Sequence, residues 1–171
     1  MEYPMSDDAL RTLLDRQAIS DTVLRYATGI DMRDWEAYRS CFTDEVEIDF
    51  TSWGGGEPSV MSGDDWTAGV RAGLSGFQAT QHISTNHVIT FADGGDEATC
   101  VSYMQAQHYL PNAEGDNTLT LGGYYTNTLV RTDAGWRIRR CQLTVTWTTG
   151  NKHIFVLARE RWAAMEAAGE V

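Results

Sequence analysis

Asp31 and His82 are the two residues of this sequence whose types and settings most readily do chemistry. Asp31 stands in Tyr26-Ala-Thr-Gly-Ile-Asp31-Met-Arg-Asp-Trp35, and His82 in Gln81-His82-Ile-Ser-Thr-Asn86-His87. Each lies in a segment whose apolar spacing aims it at a core rather than at water. A carboxylate that accepts one ring N–H of an imidazole fixes its tautomer and leaves the second nitrogen as a base near neutral pH. Taken singly, each residue has an ordinary explanation: a core histidine bonded to backbone, and an acid that caps a helix or pairs with Arg25 or Arg33. As a pair they predict proton transfer, provided the fold brings them together.

The elements that must do so follow from periodicity. From Ser6 to Ile30, Leu10, Leu13, Leu14, Ile19, Val23, Leu24 and Ala27 recur at spacings of three, four and their sums. That predicts an amphipathic helix started by Ser6, Asp7 and Asp8 and closed near Asp31. Trp35, Tyr38 and Phe42 predict a short second helix over Asp34 to Cys41. Val46, Ile48 and Phe50 alternate with acids, as in a strand with one wet face. Trp53-Gly-Gly-Gly-Glu-Pro58 breaks that strand into a mouth loop, and Ser62-Gly-Asp-Asp-Trp66 opens a third helix to about Leu74.

Beyond Gly76 the composition turns to Thr, Val, Tyr and Ile. Segments 82–91, 97–110, 119–132 and 136–148 predict long antiparallel strands, with hairpin chemistry at Ala92-Asp-Gly-Gly-Asp96 and Asp133-Ala-Gly135. Lys152 to Ala168 is helical again, with Ile154, Leu157, Ala158, Trp162 and Met165 on one face. The predicted class is α+β: one domain over 1–171, a curved, mostly antiparallel sheet with helices on one face, able to enclose a pocket. Trp53, Trp66, Tyr103, Tyr109, Tyr124, Tyr125 and Trp147 are candidate walls for a bulky apolar or aromatic small molecule, although filling a core is the ordinary use of such rings.

Composition narrows the classes. Thirteen Lys plus Arg against 24 Asp plus Glu give a net charge of −11, which repels phosphate backbones and anionic membrane surfaces and argues against nucleic acid as a partner. There is no apolar run of the ~20 residues needed to span a bilayer, and the stretch Met1 to Asp8 is polar and acidic, unlike a secretory leader. A cytoplasmic location is expected. Cys41, Cys100 and Cys141 form no C-x-x-C pair and predict reduced, buried thiols. His82, His87 and His108 lack supporting acids at metal-site spacing, and Gly54-Gly-Gly56 leads into Glu57-Pro58 rather than a helix, so no metal, nucleotide or flavin cofactor is expected.

The segments Arg25 to Trp35, Gln81 to His87, Gly123-Tyr-Tyr-Thr-Asn-Thr-Leu-Val-Arg131 and Gly135-Trp-Arg-Ile-Arg-Arg140, in that order, resemble the SnoaL-like branch of the nuclear transport factor 2-like superfamily. The resemblance covers nearly the whole chain and is nearest to scytalone dehydratase, bile acid 7α-dehydratase and hexachlorocyclohexane dehydrochlorinase. It implies a cone-shaped α+β barrel, no cofactor, and lyase chemistry run by an Asp–His dyad. By position it makes His82 the base, Asp31 its orienting acid, Tyr26 the assistant to a leaving group or oxyanion, and His108 a second pocket histidine. It also implies a pocket arginine near Arg140, which spacing alone does not separate from Arg137 and Arg139, because one residue of register turns a side chain outward.

Gln105 stands where the bile acid enzyme has a second aspartate, and no Cys lies just before His82, so neither particular substrate is implied. The resemblance further implies a homodimer or homotrimer. The expected function is a cofactor-independent lyase, a dehydratase or related elimination or an aldehyde-releasing cleavage, on a cyclic or aromatic small molecule. The same scaffold also carries isomerases, polyketide cyclases and non-catalytic small subunits of ring-hydroxylating dioxygenases, so fold alone does not decide.

Overall fold

The computed structural model describes residues 6–170. The expectation of a polar, leader-free start rests partly on residues 1–5, which lie outside the described residues. Ser6 accepts a hydrogen bond from the Ala9 N–H and starts α1 (Asp7–Met32), with Asp7 and Asp8 against its positive end. The helix stops where Arg33 turns left-handed (φ 58°) and its N–H closes on the Gly29 and Ile30 carbonyls. Asp34 then caps α2 (Trp35–Arg39). A Cβ on Gly29 would lie 3.0 Å from Tyr38, so the bare glycine lets α2 fold back tightly against α1.

Next come β1 (Phe42–Asp49), the single turn α3 (Thr51–Gly54), β2 (Ser59–Ser62) and α4 (Gly63–Leu74). Four long strands follow, β3 (Ala79–Phe91), β4 (Glu97–Tyr109), β5 (Thr118–Thr132) and β6 (Gly135–Gly150), before α5 (Ile154–Ala168). They form one six-stranded sheet in the order β2-β1-β6-β5-β4-β3, antiparallel except where β1 runs beside β6. The sheet is curved but not closed, and the helices pack on one side of it, which is the α+β class expected. Among the described residues no helix is long and apolar enough to cross a membrane.

Two local expectations change. The stripe on α1 is buried only from Ile19 onward, through Val23, Tyr26, Ala27 and Ile30, while Leu10, Leu13, Leu14 and Leu24 are exposed. Strand β2 was not visible in the sequence because four residues, half of them serine, are too short to show alternation.

Bulges decide which side chains face the helices. In β3 the register shifts between Thr85 and Val88 around Asn86, whose φ is 56°, so the inward series runs Thr80, His82, Ser84 and then His87, Ile89, Phe91. In β6, Thr128 pairs Arg140 while Leu129 pairs Ile138, leaving Arg139 as the extra residue. Farther along, Gly123 pairs Val145 while Gly122 pairs Trp147, leaving Thr146 extra.

Candidate active site

Asp31 reaches the sheet from the last turn of α1 and meets His82 on β3. The Asp31 Oδ1 lies 2.7 Å from His82 Nδ1, and the backbone N–H of His82 donates to Oδ2 at 2.6 Å. Thr80 donates its hydroxyl to Oδ1 at 2.8 Å, and Arg33 donates to that hydroxyl at 2.9 Å. Burial pushes the Asp31 carboxyl up, but hydrogen bonds from the His82 ring and backbone and from Thr80 outweigh it and hold the group below its ordinary value. An ionised Asp31 accepts, so His82 carries its ring proton on Nδ1 and keeps a lone pair on Nε2.

Among the described residues the His82 ring hydrogen-bonds through Nδ1 alone, and His82 lines a cavity of about 250 Å³. The cavity lies between the inner face of β3–β6 and the helices α1, α4 and α5. Phe50, Trp53, Trp66 and Phe155 form its aromatic wall, and Met104, Leu121 and Leu143 its sheet floor. Tyr26 and Tyr125, both buried, bring their hydroxyls within 3.2 Å of each other on the same lining. Burial pushes both phenols up, so they stay neutral donors. When Tyr26 donates to the Tyr125 oxygen, the Tyr125 proton is left for a ligand.

His108 lines the same cavity. On β4 it pairs Thr80 while Ala106 pairs His82, so the two imidazoles are diagonal neighbours with ring centroids 5.5 Å apart and planes nearly perpendicular. Burial, reinforced by the imidazole of His82 beside it, pulls His108 down to about 3. It is therefore neutral at physiological pH, packed against Phe77 and Phe155, and its Nδ1 has no partner among the described residues.

The consequence for stability has a definite sign. Between the folded value and the ordinary value near 6.5, the unfolded chain binds a proton at this position and the folded chain does not, so stability falls as pH drops below about 6.5. From there to pH 5 the loss from His108 amounts to about 2 kcal/mol, roughly 4–8 °C in Tm. His108→Phe is expected to flatten that slope in a thermal-melt series from pH 7 to pH 5.

Not every residue expected in the pocket is there. Arg140 projects from the opposite face of the sheet, where it donates to Glu47 at 2.9 Å and to Asp49 at 3.3 Å. Arg139 pairs with Glu97 and Arg137 with the Ser40 carbonyl, so none of the three arginines lines the cavity. Trp147 is half exposed and lies over Gly122, where a Cβ would sit 2.0 Å from the indole. The extra residue Thr146 turns it outward; an unbroken alternation from Leu143 and Val145 would have brought it in. Tyr103 and Tyr124 are on that outer face as well, whereas Tyr26, Trp53, Trp66, His82, His108 and Tyr125 share the cavity.

His87 is not a second base, because Ser20 and Ser84 engage its two ring nitrogens at 2.7 and 2.9 Å. The three cysteines are buried and free, and burial pushes Cys41 up to about 12 and Cys100 to about 11, which keeps them unreactive. Sequence reasoning missed Phe155 and Arg159. They stand one turn apart on α5 beside the buried Ile154–Ala158–Trp162 stripe, and that second apolar position was the available signal.

Comparison with known proteins agrees with this architecture. Residues 11–142 match the SnoaL-like domain family. The Kfla4162 protein of Kribbella flavida superposes with a TM-score of 0.78 at 33% identity, over 86% of this chain and 99% of that one. A Novosphingobium aromaticivorans DSM 12444 structure bearing the provisional name scytalone dehydratase superposes at 0.68 and 24% identity, over 82% and 89% of the two chains, and shows the fold alone. Among curated proteins, the terrestric acid biosynthesis cluster protein E of Penicillium crustosum is 27% identical over 150 residues, 84% of this chain and 90% of that protein. The chain belongs to the SnoaL-like domain family of the nuclear transport factor 2-like superfamily, whose members include small-molecule-processing enzymes.

Proposed function

We propose that the protein is a cofactor-independent lyase acting on a cyclic or aromatic small molecule, with His82 as its base. The observation that carries this reading is a single one. The imidazole is anchored through Nδ1 by a fully engaged carboxylate, and its free nitrogen belongs to a residue lining an aromatic cavity. A histidine held only for packing would have both nitrogens satisfied, as His87 does.

The chemistry follows from those contacts. Nε2 of His82 takes a proton from carbon beside a carbonyl or aryl group, and Asp31 stabilises the imidazolium that forms. The electron pair released from the C–H bond becomes the new C=C bond as the C–O bond to the leaving hydroxyl breaks. The departing oxygen takes the proton back from His82 and leaves as water. Tyr125, with Tyr26 donating into it, supplies a hydrogen bond to the enolate-like oxygen or to the leaving group. Neutral His108 can serve as a further hydrogen-bonding partner beside the base.

The dehydratase name provisionally borne by the Novosphingobium structure supports elimination, and the place of the Penicillium relative in a biosynthesis cluster supports a small organic substrate. The test is a panel of cyclic β-hydroxy ketones and β-hydroxy acids, followed by the ultraviolet absorbance of the conjugated product and by mass. Loss of water is the expected result. A product of unchanged mass would make the protein an isomerase instead, and no turnover across the panel would count against catalysis.

A further inference from the structure

We infer that the cavity takes its ligand as an anion, a cyclic or aromatic carboxylate whose charged group is bound by Arg159 at the mouth; this rests on the cavity being the ligand site of the proposed lyase. Arg159 is exposed and yet lines the cavity, so it stands where the cavity meets solvent. Among the described residues it is the one of the lining with a fixed charge, and none of the described Asp and Glu residues lines the cavity although the chain carries 24 acids. In a protein of net charge −11, a cavity edged by a cation and no acid is a local inversion of sign.

The other arginines near this seam are occupied. Arg161 donates to the Gly76 carbonyl and Arg71 stacks over Trp162, whereas Arg159 makes no hydrogen bond or ion pair among the described residues. Its planar guanidinium fork is therefore free to take both oxygens of a carboxylate. Lys152, over the ring of the cavity-lining Trp53 at 5.5 Å, adds a second cation beside the same wall.

The way in is also built. Gly69 and Gly73, one turn apart on α4, line the cavity with nothing within 4 Å of where a Cβ would be. Opposite them on α5, Phe155 and Arg159 are likewise one turn apart. A ligand entering there can place an aromatic ring against Phe155 and Trp53 and leave its carboxylate at Arg159. The remaining described lining carries no second fixed cation, so the cavity suits a singly charged carboxylate rather than a doubly charged phosphate.

The experiment compares two probes of nearly equal shape, 1-naphthoate and 1-naphthamide, by calorimetry at neutral pH and low salt. The wild-type protein is expected to bind the carboxylate about five- to tenfold more tightly than the amide, a ratio kept modest by the exposure of Arg159. Arg159→Gln should bring the ratio close to one by weakening naphthoate alone, and Arg159→Lys should restore part of it. An unchanged ratio in Arg159→Gln, no discrimination by the wild type, or no binding of either probe overturns the inference. His82→Ala is expected to keep the preference, so a failure of the elimination chemistry is distinguishable from a failure of anion recognition.

Discussion

His82→Ala is expected to lower kcat for the dehydrated substrate by about 10²- to 10⁴-fold, the range that a positioned general base contributes. No other described residue of the cavity lining is placed to substitute for it. His108 is diagonal to His82 but is held neutral by burial and has no carboxylate behind it to stabilise a positive charge. The tyrosines are pushed up and do not accept a proton as phenolates near neutral pH. Folding should survive, because Asp31 keeps its hydrogen bonds from Thr80 and from the backbone at position 82. The destabilisation expected from one lost hydrogen bond at a half-buried carboxylate is about 1–2 kcal/mol, which a denaturant midpoint would register without loss of the native fold.

Asp31→Asn is expected to be just as damaging, in the upper part of that range at about 10³- to 10⁴-fold in kcat, through a different route. An amide NH₂ facing Nδ1 would oblige that nitrogen to accept, moving the ring proton to Nε2, where the base is needed. The variant would also lose the negative charge that stabilises the imidazolium. Ring ¹⁵N shifts at alkaline pH separate these effects: the wild type is expected to show a protonated Nδ1 and a bare Nε2, and the variant the reverse. A fall in activity with the tautomer unchanged would assign the loss to charge alone.

Both predictions depend on a meeting that the sequence could suggest but not establish. The periodicity of α1 and the apolar run of β3 placed Asp31 and His82 on separate elements aimed inward, and every long strand lies within three residues of where alternation and turn chemistry put it. Tyr26, His108 and Tyr125 joined them because helical periodicity or strand parity holds along their elements, and Trp53 did so from the helical turn α3, where the spacing predicts a loop. Arg140 and Trp147 did not, and the reason is local. Arg139 and Thr146 are unpaired residues in β6, and an inserted residue reverses parity without leaving a mark in composition.

The helices show the complementary limit. Leu10, Leu13 and Leu14 have the spacing of a buried stripe, but burial also needs a surface opposite, and the sheet offers one only from Ile19 onward. Arg159 illustrates the same point from the other side. Nothing in its neighbourhood distinguishes it from a solvated helix arginine until α4 and α5 come together around the cavity.

The measurement that tests the lyase reading most directly uses a turned-over β-hydroxy ketone whose carbon beside the carbonyl bears a single hydrogen, replaced by deuterium. The wild type is predicted to release a product that lacks both the label and the hydroxyl, more slowly than the unlabelled compound reacts, while His82→Ala and Asp31→Asn leave label and hydroxyl in place. Retention of the label in the wild-type product, or undiminished turnover by both variants, would contradict the assignment of His82 as the base.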